Sequence, residues 1–329
     1  MVSGTSNEKN KALITLQKHV EWIMQQEFDV LALSGDNCEK AWDSHFQVLR
    51  NTNIDPDVVI DPEAAGVYEP LIQFCKDNNK VFLPMPGNHD INKQTFHEPR
   101  TWHYDRHNSY FPPSELGNLT IWREDLPEYN YAIVNGWFVG SLPFDPDASR
   151  AKNMNQDPAL NKSGSEWMLR EIERHGLPVI IVTHALLGPP SEQQPDGTWK
   201  HVGGLGYEPH LDMTHDSSGK SNQDAVSWYN DFLAKIPFST VVITSHRGSA
   251  YRDDQTAENS WCHSIQTGLT SQAYAGAVCE YNFVGDKVIM QEWNTYTGEL
   301  FDLKKEYWTT PNVNIFKDDY TIEFQRWDH

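Results

Sequence analysis

The hydrophobic pattern divides the chain into two kinds of segment. Between Asn7 and Gln26, the residues Leu13, Leu16, Val20, Ile23 and Met24 recur at the three- and four-residue spacing of one helical face. Elsewhere, short apolar runs stop at turn residues: FDVLALS (28–34), KVFLPMP (80–86), LPVIIVTH (177–184) and STVVITSH (239–246). Runs of this length and Val/Ile content read as strands buried on both faces. Helices are expected around 66–78, over 163–176 from a capping box at Ser163 and Glu166 to Gly176, and over 221–236. Residues 129–142 alternate as two short strands joined by Asn135-Gly136, a hairpin signal. Residues 277–303 alternate and turn at Gly285-Asp286 and Thr297-Gly298, which predicts a β-meander.

Helix-separated apolar strands predict a buried, largely parallel α/β core, and the hairpins predict a second or mixed sheet beside it. Two stretches break the pattern, 92–128 and the Gly/Pro-rich 187–220. Both are expected to be irregular insertions that shape a cleft. A single domain is expected over 1–303, with 304–329 as a C-terminal extension packed on it.

Composition narrows the function. A formal net charge of −20 excludes a role in coating nucleic acid. It leaves room for a small phosphorylated substrate, because a bound divalent cation inverts the local field. The four cysteines (Cys38, Cys75, Cys262 and Cys279) are scattered, which excludes a zinc ribbon and predicts ordinary thiols. No apolar run is long enough to span a membrane, and MVSGTSNEKN carries no apolar signal region. A cytoplasmic protein is the expectation. A trimmed secreted form is the alternative, given the formal glycosylation acceptors at Asn118 and Asn161.

The chemistry lies where the apolar strands stop. The first ends at Asp36, the second at Asn88, His89 and Asp90, the third at His184 and the fourth at His246. Sites in open α/β sheets form outside the carboxyl ends of strands. One carboxylate, one amide and two imidazoles converging there make a first shell for Zn²⁺, Mn²⁺ or Fe²⁺. Glycines precede Asp36 and Asn88, as a backbone turning sharply beside an ion requires. Taken singly, Asp36 reads equally as a helix cap and each histidine as a structural residue; the joint pattern points to a site.

Gly35-Asp36, the tetrad 87–90 (GNHD) and the strand-end residues His184 and His246 resemble the calcineurin-like metallophosphoesterase family, in order and spacing over about residues 1–295. The resemblance implies a four-layer αββα sandwich with two mixed sheets and loop insertions. It implies one or two divalent metals (Mn, Fe or Zn) per chain, with Asp36, Asn88, His184 and His246 as ligands. It also implies that His89 meets the phosphate and protonates the leaving group, and that Asp90 holds His89 in its working tautomer.

Two family motifs are broken. At the closing motif, SHRG, Ser245 and Gly248 stand where a glycine and a second histidine are expected. At the opening motif, Gly4 and Ser6 align with the expected Asp and His. All three missing ligands serve the same metal, so one intact metal site and one lost or rebuilt site are expected. Arg247 offers a fixed positive charge for phosphate oxygens. His97, His103, Asp105 and His107, and likewise His210, Asp212 and His215, are expected on solvated loops, as possible donors of a replacement ligand. The expected activity is hydrolysis of a phosphomonoester or phosphodiester by a metal-activated water. The alternative is a catalytically impaired protein of the same fold that binds a ligand or partner.

Overall fold

In the computed structural model the described residues are 17–35, 66, 68–87, 90, 107–143, 158–184, 187–188, 191–193, 199–201, 206–207, 232–244, 251–253, 262–266, 277–285, 287–295, 297–300 and 321–323. Helix α1 (17–23) precedes β1 (Val30–Ser34), and α2 (Tyr68–Asp77) precedes β2 (Val81–Met85). Then come β3 (Ile121–Trp122), β4 (Asn130–Val134), β5 (Trp137–Ser141), α3 (Pro158–His175) and β6 (Val179–Val182). Four short strands follow, β7 (Leu187–Gly188), β8 (Ser191–Gln193), β9 (Trp199–His201) and β10 (Gly206–Tyr207). The remaining strands are β11 (Thr240–Thr244), β12 (Tyr251–Asp253), β13 (Cys262–Gln266), β14 (Ala277–Val284), β15 (Lys287–Asn294), β16 (Glu299–Leu300) and β17 (Thr321–Glu323).

A seven-stranded mixed sheet runs β12-β13-β11-β6-β5-β4-β3, with parallel pairing from β13 through β5. β1 and β2 form a separate parallel pair, and β14, β15, β16 and β17 an antiparallel group. Side-chain alternation shows how these stack. Val81, Leu83 and Met85 of β2 join Val139, Val182, Val241 and Met290 in one buried cluster, while Phe82 turns the other way onto α1 and α2 residues such as Val20 and Leu71. Phe138, Ile181 and Val242 leave the opposite face of the large sheet and pack on Met168 and Ile172 of α3. The order is therefore helix, sheet layer, sheet, helix. β14 and β15 share the layer of β1 and β2: Tyr281 and Phe283 pack inward on the first cluster, and Val278 outward with the α1–α2 cluster. Burial contributes about 1.5–3 kcal/mol for each large apolar side chain between the sheets.

The strands and the meander fall where the apolar runs and the alternation put them, and the Asn135-Gly136 hairpin has positive φ at both residues, 49° and 79°. Three expectations need correction. Helix α3 begins at Pro158, not at a Ser163 cap; proline at the first helical position is pre-set for the helix. Ser163 is thus interior, and Gly164 exists for a different reason: a Cβ there would lie 2.4 Å from Cζ of Tyr129, whose ring packs on the helix backbone. The 187–220 stretch is not wholly irregular, because β7 pairs with β10 and β8 with β9. The C-terminal end of the expected 221–236 helix is a single 3-10 turn, Leu233–Lys235; residues 221–231 lie outside the described residues. Among the described residues, no helix is long and apolar enough to cross a membrane.

Candidate active site

Three strand ends from two different layers meet at one point. β1 ends in Ser34-Gly35, β2 leads into Gly87, and β6 leads into His184. His184 Nδ1 lies 2.7 Å from the Ser34 carbonyl oxygen. A carbonyl only accepts, so Nδ1 carries the proton, which leaves Nε2 as the nitrogen through which a neutral ring would bind a metal. His184 is 1% exposed. The step before it is anchored twice: Thr183 N–H donates to Ile243 O at 3.0 Å, and its hydroxyl to Pro143 O at 3.4 Å.

Gly35 makes this convergence possible. Its φ is +89°, and a Cβ there would sit 2.5 Å from His184 Nδ1 and 2.7 and 2.8 Å from Cα and N of Gly87. Real Cβ contacts are not that short, so only glycine lets the backbones at 35 and 87 and the His184 ring close up. The sequence signal for a sharp turn before Asp36 was correct, and its cause is a close approach between layers.

The loop from Gly87 to Asp90 is clasped at both ends. Gly87 N–H donates to Asp90 Oδ2 at 2.7 Å, and Asp90 N–H donates to Gly87 O at 3.2 Å. Asp90 is buried, at 1% exposure. The sequence offers Asp90 only as a partner for His89, and the clasp is a finding of the structure. A carboxylate three residues after a strand-end glycine is the signal that could have suggested it.

The fourth strand end is adjacent. β11 pairs with β6 in parallel, with Ile243 beside Val182, and Thr244 ends the strand two residues before His246. Asp36, Asn88, His89, His246 and Arg247 themselves lie outside the described residues, as do His97, His103, Asp105, His210, Asp212 and His215. Among the described residues, no group of three or more His, Cys, Asp or Glu is assembled to hold a metal.

His107 corrects an expectation. It is buried rather than solvated, 1% exposed, in a helical turn that sets its ring 5.0 Å from that of Phe111. Burial pushes its pKa down to about 4, against a smaller upward effect of the neighbouring Asn108 side chain. Asn108 in turn donates to Glu128 at 3.0 Å. Burial pushes the Cys75 thiol up to about 12.

No family model matches the chain, and no curated protein does. Among solved structures, the chain is similar to a dimetal phosphatase from Danio rerio, with a TM-score of 0.43 and 10% identity, covering 86% of each chain. It is also similar to a candidate 5′-nucleotidase from Staphylococcus aureus, with a TM-score of 0.35 and 14% identity, covering 87% of this chain and 46% of the other. Both have the calcineurin-like metallophosphoesterase fold.

Proposed function

We propose that the chain is a metal-dependent phosphoesterase whose site lies at the junction of β1, β2, β6 and β11. The observation that carries this reading is the contact among Gly35, Gly87 and His184. It supports the convergence of strand ends that the ligand-type residues require. The donor set fits a divalent cation of the Mn, Fe or Zn type. His184 has the tautomer of a ligating imidazole, with its other nitrogen tied to a backbone carbonyl. Asp36, Asn88, His184 and His246 would hold the metal. When bound, it supplies Lewis-acid polarisation of a phosphoryl oxygen and activation of a water nucleophile.

The chain's own residues supply the rest. His89 donates a proton to the departing ester oxygen. Asp90 fixes the 87–90 loop through Gly87 and orients His89. Arg247 binds a phosphate oxygen as a fixed cation. Gly4, Ser6 and Gly248 stand at the remaining ligand positions of the resemblance; two glycines and a neutral hydroxyl replace the charged and imidazole donors of a second cation, so one metal per chain is proposed. The substrate is a small phosphomonoester or phosphodiester. The same three residues also favour a second reading, a phosphoesterase-fold protein that binds a phosphorylated ligand without turning it over.

The test is hydrolysis of aryl phosphate mono- and diesters by protein loaded with Mn²⁺, Zn²⁺ or Fe²⁺. Turnover that falls by about 10²–10⁴ in His89→Ala supports the enzyme. Retained phosphate binding without turnover under all three metals supports the binding protein.

A further inference from the structure

One row beneath His184, the inner face of the large sheet carries polar groups that the site does not use. Cross-strand register places Trp122 beside Asn130, Asn130 beside Ser141, and Ser141 beside Val182, two residues before His184. Register partners share a face. Val139 and Ala132 of the same strands, and Val182, belong to the cluster between the layers, so Asn130 and Ser141 face the sandwich interior, while the half-buried Trp122 on the edge strand packs with the α1–α2 cluster. Asn130 and Ser141 are 0% exposed. Among the described residues, Trp122 Nε1, Asn130 Oδ1 and Ser141 Oγ are buried with no protein hydrogen-bond partner. The Asn130 amide is already oriented, because its Nδ2–H donates to Pro127 O at 3.1 Å and Oδ1 is left as an acceptor.

Three such groups on neighbouring strands are not a chance defect. Each would cost heavily if left unsatisfied, and adjacent cross-strand Cβ atoms lie only about 4.5–5.5 Å apart. Their chemistry selects the guest. Trp122 only donates, Asn130 Oδ1 only accepts, and Ser141 does either. An anion would face the Asn130 oxygen with no cation in the row, and a metal would face an indole N–H that cannot ligate it. Full burial of Asn130 and Ser141 excludes a large ligand.

We propose that Trp122, Asn130 and Ser141 bind one internal water molecule that ties β3, β4 and β5 together immediately below His184. The water accepts from the indole N–H, donates to Asn130 Oδ1 and completes its bonding with the Ser141 hydroxyl. Three protein partners are the usual complement of a buried water. The edge strands thereby support the floor of the candidate site by a bonded link as well as by packing.

The sign of one substitution separates a wet row from a dry one. Deleting an unsatisfied hydroxyl from a dry core is neutral or stabilising, whereas deleting a water ligand is destabilising. Ser141→Ala is expected to lower Tm by about 1–3 °C. An unchanged or raised Tm overturns the proposal. The second measurement is a water-to-amide exchange-suppressed NMR spectrum of ¹⁵N-tryptophan protein, with the Trp122 indole signal assigned by its loss in Trp122→Phe. A long-lived water cross-peak to that indole is expected, and a spectrum without one overturns the proposal. Neither measurement depends on phosphoesterase activity.

Discussion

Replacing Gly35 by alanine adds one methyl group at the point where the layers touch. That carbon would lie 2.5 Å from His184 Nδ1 and 2.7 Å from Gly87 Cα, with φ at +89°. Two costs follow. A residue with a Cβ in the left-handed region loses about 1–2 kcal/mol. Forcing a methyl into a closed contact costs a further 1–3 kcal/mol or so, because the Gly87 backbone cannot swing aside as a flexible side chain would. The total is about 2–5 kcal/mol. For a chain of 329 residues that is roughly 3–7 °C in Tm. The damage is also directional: the least constrained of the crowded atoms are in the His184 ring, so His184 is displaced from the Ser34 carbonyl. Displacement on the 1 Å scale costs about 10²-fold in a catalytic step. Thermal melts and metal titrations of Gly35→Ala measure both effects. A variant within about 1 °C of the parent that binds metal equally well would refute the close approach.

Asp90→Ala orphans the buried Gly87 N–H and should cost about 1–3 kcal/mol in a urea melt. Asp90→Asn keeps an acceptor oxygen and should recover most of that stability while lacking the charge beside His89; equal losses in the two variants would contradict the clasp. His107 has a lower pKa folded, about 4, than its ordinary 6.5, so the unfolded chain takes up its proton first. Its contribution is therefore whole above about 6.5 and is lost as pH falls toward 4, amounting to about 3 kcal/mol. Urea midpoints between pH 7 and 4 should fall less steeply in His107→Phe than in the parent, and parallel curves would contradict it. Gly164→Ala drives a Cβ to 2.4 Å from the Tyr129 ring and should lower Tm by several degrees. It leaves metal affinity unchanged, because the contact lies on the helix side of the large sheet; a loss of metal affinity would show that the layers are not independent.

The buried strands were legible because β1, β2 and β6 are short apolar runs; the four-layer order was implied only by the resemblance, and the structure shows it in the different cluster on each face of each strand. The β14–β16 meander was legible because its turns carry glycine at positive φ, 62° at Gly285 and 74° at Gly298. The start of α3 was not, since Ser163 and Glu166 have the spelling of a capping box and only the packing of Tyr129 on Gly164 reveals a helix interior. The burial of His107 is not legible, because nothing local marks it in a polar segment; its environment comes from Phe111 and the α2 side of the fold. At the site, the sequence named residues that stand at strand ends. It could not show that Gly35 touches both Gly87 and His184, since those contacts join segments 52 and 149 positions apart along the chain.

The central claim is a metal held by the ends of β1, β2, β6 and β11. It is tested most directly by elemental mass spectrometry of protein purified without chelator and reconstituted with Mn²⁺, Zn²⁺ or Fe²⁺. About one metal per chain, lost in His246→Ala and retained in Gly164→Ala, is the predicted result. No bound metal under any of the three conditions would contradict the claim.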